Sequence, residues 1–242
     1  MVITTTGIAF LLSTIGLAFC GIRFFEAFRN VGGLNSGNRS GMLLSTYFIA
    51  TSIQHGIMAF GSIFFADNPE ALYATFLLVN LLLVGLAALA IYMTLYILVP
   101  RYSPWPVILA ILIFGIFVAG WSLISHPLPF LTASNSIDWN ASPSLQLLIN
   151  LLLIVSIGSP LLIFVKNYLL APNRRVKIIF FVLTLVHLAG VINVSILFGR
   201  WFLGDGDFKN SIFNVILAII GILFMTAFLF APFFAKNRKK QA

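Results

Sequence analysis

Seven apolar runs, each long enough to cross a bilayer and nearly free of charge inside, dominate this sequence. A helix crossing the hydrocarbon core needs roughly 20 mostly apolar residues. Residues 3–22, 42–65, 71–99, 105–125, 145–170, 177–198 and 212–234 all meet that requirement. Short of a closed barrel, only a helix satisfies its own amides in lipid. The expected fold is therefore all-α: a polytopic membrane protein, one seven-transmembrane-helix bundle over residues 1–242. Only 8% of the chain is charged and 60% is hydrophobic, whereas a soluble domain carries about 25% charged residues. Lipid must solvate much of such a surface, and little length is left for a separate soluble domain.

Charge sets the expected orientation. Arg23, Arg29, Arg39, Arg101, Lys166, Arg174, Arg175, Lys177, Lys236, Arg238, Lys239 and Lys240 fall on one side of the threaded chain, and only Arg200 and Lys209 on the other. Asp67, Glu70, Asp138, Asp205 and Asp207 oppose the basic side, and Glu26 alone joins it. By the positive-inside rule the N-terminus is outside and the C-terminus cytoplasmic, as an odd number of spans requires. Trp121, Trp139 and Trp201 are expected at the outer interface, and Tyr96, Tyr102, Trp105 and Tyr168 at the inner one. The net charge of +8 lies in short loops and a tail, a pattern that fits an anionic cytoplasmic leaflet rather than nucleic acid. Arg174, Arg175, Lys236, Arg238, Lys239 and Lys240 are the expected membrane-surface contacts. Leu17-Ala18-Phe19-Cys20 imitates a lipoprotein cleavage site, but Phe19 is too large for the position before the cysteine, so the first run reads as a retained helix. One cysteine allows no intrachain disulfide.

The spans contain no Asp or Glu, and their only basic residues, Lys166 and Lys177, sit at inner ends where they reach the headgroups. Ion-coupled pumping, retinal attachment at a mid-helix lysine, paired-carboxylate or His-Glu-x-x-His proteolysis and an arginine voltage ladder are therefore all unprovided for. Histidine remains. His55 lies ~20 Å and His187 ~15 Å from the cytoplasmic ends of the second and sixth runs at helical rise, with His126 at the outer end of the fourth. Facing imidazoles can ligate a haem b iron axially, which makes His55 and His187 haem-ligand candidates. Otherwise each is expected to bond a neighbour, His55 near Thr51 and His187 near Thr184. No other metal site and no catalytic residue is expected.

Buried amides and hydroxyls in hydrocarbon either bind helices together or line a pocket. The pocket candidates are Thr51, Gln54, His55, Asn80, Asn150, Thr184, His187, Asn193 and Asn214. Their lack of charge points to a neutral ligand. Gly85 with Ala88, Gly115 with Ala119 and Ala227 with Ala231 have the spacing of close helix contacts. Gly158-Ser159-Pro160 is expected to kink the fifth helix. Gly204-Asp205-Gly206-Asp207 lacks the ligand spacing of a calcium loop and reads as a turn.

In helix number and N-out orientation the chain resembles the seven-helix input modules of bacterial sensor kinases. In size and topology it is similar to the small sugar facilitators, whose proline-bearing helices Ser159-Pro160-Leu161 resembles. These resemblances imply sensing in one case and passage of a neutral solute in the other. The leading expectation is a non-enzymatic sensor-like or accessory module in a prokaryotic plasma membrane, acting through a cytoplasmic partner. The alternatives are a facilitator or channel for a neutral small solute and a haem-bearing electron carrier.

Overall fold

The structure is a computed structural model that describes residues 3–29, 36–172, 174–198 and 207–229. These form α1 (Thr5–Arg29), α2 (Ser36–Phe64), α3 (Pro69–Leu98), α4 (Trp105–Ser125), α5 (Pro143–Leu169), α6 (Arg174–Phe198) and α7 (Asp207–Leu229). A two-strand hairpin, β1 (Phe130–Leu131) and β2 (Ile137–Asp138), interrupts the helices between α4 and α5. Helix boundaries follow local chemistry. Asn68 caps α3 by accepting from the Ala71 N–H at 3.1 Å, with Pro69 filling the first helical turn. Ser142 and Pro143 repeat that arrangement at α5. His126, in the left-handed region at φ 40°, ends α4.

Five of the helices are long and apolar enough to cross a membrane: α1 over Thr5–Glu26, α3, α4, α5, and α6 over Val176–Ser195. Such helices suggest an integral membrane protein. Ser, Thr, Gln and His scattered through α2 dilute its hydropathy. In α7 the described apolar stretch is Ser211–Met225, and the remainder of the predicted run 212–234 extends outside the described residues. Lipid as solvent also accounts for the outer surface. On α4, Ile113, Ile116 and Ile124 are 61%, 71% and 82% exposed in an unbroken apolar face.

The packed pairs are α1 with α2, α2 with α3, α3 with α5, α5 with α6, α6 with α7, and α7 back to α1. The helices thus form a closed ring of six, with α4 outside it against α3 and α5. The hairpin lies at the end where α1, α3, α5 and α7 begin, called here the hairpin end. All six ring helices contribute to one apolar cluster toward the opposite end, including Phe24, Tyr47, Phe48, Met93, Phe164, Leu183 and Phe224.

The ring is stitched by polar side chains that donate to backbone carbonyls on neighbouring helices. Ser45 reaches Gly21 O at 2.7 Å and Ser52 reaches Thr14 O at 3.0 Å, both between α2 and α1. Thr4 reaches Ser62 O at 2.9 Å. Other hydroxyls bond one turn back in their own helix, as Thr14, Thr51 and Thr184 do. The tightest backbone approach is between α1 and α7. A Cβ on Gly221 would come within 2.6 Å of Leu12 C, and one on Gly16 would collide with the Gly221 carbonyl. Of the predicted small-residue contacts, Gly115 packs against Val84 of α3, whereas Gly85 faces open space. The Ala227 and Ala231 pair lies outside the described side chains.

Candidate functional site

Charge is distributed between the two ends of the ring. Arg101 lies in the connection after α3 and Arg174 opens α6 at the end opposite the hairpin; both are exposed. There Arg39 lies over the Tyr96 ring at 5.2 Å, Lys177 over Tyr168 at 5.0 Å, and Arg23 pairs with Glu26 at 2.8 Å. The Arg175 side chain and the residues Lys236, Arg238, Lys239 and Lys240 lie outside the description. Asp67, Glu70 and Asp138 are at the hairpin end. His126 meets its Glu70 partner there at 3.6 Å and contacts the Tyr73 ring.

At the hairpin end a chamber of about 150 Å³ opens inside the ring. Its wall comes from α1 (Thr6, Phe10), α2 (Met58), α3 (Phe76, Val79, Asn80, Leu83), α5 (Gln146, Ile149, Asn150, Leu153) and α7 (Phe213, Asn214). Its roof is the hairpin and the residues after it, 137–141. Trp139 turns inward from that roof and stacks on Phe76 at 6.0 Å and 21°. An aromatic expected at the interface is thus part of the chamber roof. Trp121, Tyr102 and Trp105 are exposed.

The roof is held by hydrogen bonds rather than by length. Ala133 and Ser134 turn the chain between β1 and β2, where the Asn135 N–H donates to Thr132 O at 3.0 Å and Asn135 itself lies at φ 57°. Asn135 O accepts from the Thr5 N–H at 2.9 Å, and Asn135 Nδ2 donates to Ile3 O at 2.7 Å. Thr6 Oγ1 then accepts twice, from the Ile137 N–H at 3.0 Å and from Asn214 Nδ2 at 3.1 Å. One hydroxyl therefore joins the roof, α1 and α7.

Asn80 on α3 and Asn150 on α5, two helices packed against each other, both line the chamber, at 4% and 2% exposure. Among the described residues neither amide nitrogen has a hydrogen-bond partner. A buried donor left unpaired costs about 1–3 kcal/mol, so an occupant with acceptor atoms, water or ligand, would relieve both. Among the described residues Asp138 is the only charged one in the chamber lining. It accepts from the Asn140 N–H at 2.8 Å.

The other sequence candidates are elsewhere. Gln54 Nε2 donates to Val79 O at 3.3 Å, tying α2 to α3. His55 Nδ1 pairs with Ser13 Oγ at 2.7 Å and its ring meets Phe10 edge-on, so its partners are on α1 rather than at Thr51. Asn193 Nδ2 donates to Phe213 O at 3.4 Å, between α6 and α7. Thr51 and Thr184 bond only their own helices. His187 Nδ1 lies 2.9 Å from Leu183 O, one turn back, inside a cage of Tyr47, Phe48, Phe164 and Phe224 rings.

His187 meets α2 at Tyr47 and Phe48, about 11 Å along the helix axis from His55. The two imidazoles have separate neighbours, Ser13 and Phe10 for His55 and the aromatic cage for His187, an arrangement that does not fit two axial ligands of one haem. Among the described residues no group of three or more His, Cys, Asp or Glu side chains is placed to hold a metal ion.

Of the nine pocket candidates, then, Asn80, Asn150 and Asn214 converge on the chamber. Sequence reasoning missed Thr6, Trp139 and the roof. A Ser/Asn turn between short apolar pairs is a hairpin signal, and it was present in Phe130-Leu131 to Ile137.

Toward the opposite end the described ring helices meet in the apolar cluster around Tyr47, Phe48, Phe164 and Phe224. Pro160 has no N–H to donate to Ser156 O, and Tyr47 Oη from α2 donates to that carbonyl at 3.0 Å. Tyr47 thereby bridges the ring beside the aromatic cage. No protein-family model matches the sequence, and no curated protein matches it. The site's geometry alone carries the functional reading.

Proposed function

We propose that this chain is a non-enzymatic, seven-span membrane protein that takes up a small neutral molecule at its hairpin end and relays occupancy to a cytoplasmic partner. The observation that carries this reading is the pair of unpartnered amides, Asn80 and Asn150, in a chamber that ends on a filled aromatic layer. A chamber walled off below suits reception better than passage. In this reading α2 and α7 span with the five more apolar helices, because they close the ring. The basic end faces the cytoplasm by the positive-inside rule, which puts the chamber on the outer side of a plasma membrane.

A relay route is available in the contacts. An occupant touching the roof bears on Ile137 and Asn214 through their shared acceptor, Thr6 Oγ1. From Asn214, α7 runs along α1 toward the basic C-terminal residues. The lining offers amides, hydroxyls and one carboxylate, with no acid, base and nucleophile in a working trio.

Reconstitution into liposomes tests the reading against a facilitator. Shrinkage and re-swelling in glycerol, urea or a monosaccharide should proceed at the rate of protein-free vesicles. Swelling that rises in proportion to the protein incorporated makes it a facilitator, with the aromatic layer as a gate.

A further inference from the structure

The chamber's chemistry narrows its ligand further, on the footing that the proposed reception site is real. Asn80 and Asn150 bring unpaired N–H donors to the wall, so an occupant that satisfies them carries oxygen or nitrogen acceptors. Among the described residues Asp138 is the only formal charge in the lining, and it is negative, which disfavours a carboxylate or phosphate. Asn140 and other contacts already engage that carboxylate, so it is not poised to select a cation.

Aromatic rings supply the rest of the surface. Phe76 and Trp139 present a near-parallel stack, and Phe10 and Phe213 sit 6.2 Å apart at 55°. Such surfaces favour a flat apolar body, which gains by offset or edge contacts with each ring. The volume of about 150 Å³ matches a cavity known to accept one benzene-sized molecule. We infer that the chamber binds a neutral, single-ring molecule bearing a carbonyl-type acceptor, its oxygen bonded by Asn80 and Asn150 and its ring held beneath Trp139.

Fluorine NMR in lipid nanodiscs tests this with four probes of one shape: 4-fluoroacetophenone, 4-fluoroethylbenzene, 4-fluorobenzoate and 4-fluorobenzylammonium. Empty nanodiscs correct for partition into lipid. The ketone should bind at least tenfold more tightly than the hydrocarbon and than either ion. Asn80→Leu and Asn150→Leu, which keep side-chain size, should each weaken the ketone by tenfold or more and leave the hydrocarbon unchanged. The same variants should melt no lower than the parent without ligand, because each removes an unpaired buried donor. Asn80→Ala and Asn150→Ala stand in where a leucine variant does not fold.

Equal binding of ketone and hydrocarbon, ketone binding indifferent to both asparagines, or tighter binding of an ion overturns the assignment. Those outcomes leave the chamber itself standing if Val79→Phe, which fills it, abolishes the binding that is seen. Failure of all four probes overturns both the assignment and the reception site.

Discussion

At the scale of single residues, the bundle is governed by what happens to polar groups that cannot reach water. Pro160 deletes one helical hydrogen bond in the middle of α5, and the Tyr47 hydroxyl repairs it from across the ring. Tyr47→Phe should therefore destabilise the protein by about 1 kcal/mol, with unfolding in mixed micelles as the measurement. In a Pro160→Ala background, Ser156 O regains an N–H partner, so the same substitution should cost less than half as much. Equal costs in both backgrounds would mean that Tyr47 contributes packing alone.

This residue scale was only partly legible in the sequence. Polar residues within apolar runs are easy to see, and Asn80, Asn150 and Asn214 did reach one chamber. Gln54, His55 and Asn193, with the same chemistry, bond neighbouring helices instead. What separates the two groups is helix rotation and the identity of the partner. Ser13 stands 42 positions from His55, and nothing local to either residue announces the pair. Pro160 inside α5 was legible, but the hydrogen bond that Ser156 O accepts from a tyrosine on α2 was not.

At the scale of elements, helix contacts depend on whether backbone can approach backbone. Gly16 and Gly221 let α1 and α7 touch where a methyl group would meet main-chain atoms, which cannot rotate away. Gly221→Ala should lower stability by about 2 kcal/mol, as overpacking at a rigid contact does. Gly85→Ala is the control: nothing lies within 4 Å of the added carbon, so the change should be neutral or stabilise α3 by up to about 1 kcal/mol. Thermal melts of the two variants in one detergent check both signs. Sequence spacing favoured Gly85 over Gly221, because a small-residue pattern marks only what a helix offers. Which face meets a partner depends on the ring.

Helix extents were far more legible, since hydrophobic length and flanking proline are local. The predicted run 105–125 coincides with α4, and 71–99 differs from α3 by a residue or two. The hairpin was not foreseen, because paired backbone groups in lipid were expected only in helices. Its strands lie past the apolar runs and are satisfied by each other and by the first turn of α1.

At the scale of the whole molecule, one arrangement underlies the chamber, the proposed relay and the placement of charge: a six-helix ring with acidic residues at the roofed end and basic residues at the other. If the roofed end faces outward, a probe that cannot cross the membrane must distinguish the ends in intact cells. Cys20, the single cysteine, is fully buried between α1 and its neighbours, so the parent protein should react little with a charged maleimide before denaturation. Ala133 lies exposed on the hairpin and Ser103 exposed in the connection after α3. Ala133→Cys should be labelled in intact expressing cells, and Ser103→Cys only after the membrane is opened. Both sites avoid the chamber lining and the ring contacts, so folding should survive each change. The opposite labelling pattern would turn the chamber toward the cytoplasm. The ligand would then be an internal metabolite, and the basic end an outer surface that the positive-inside rule does not anticipate.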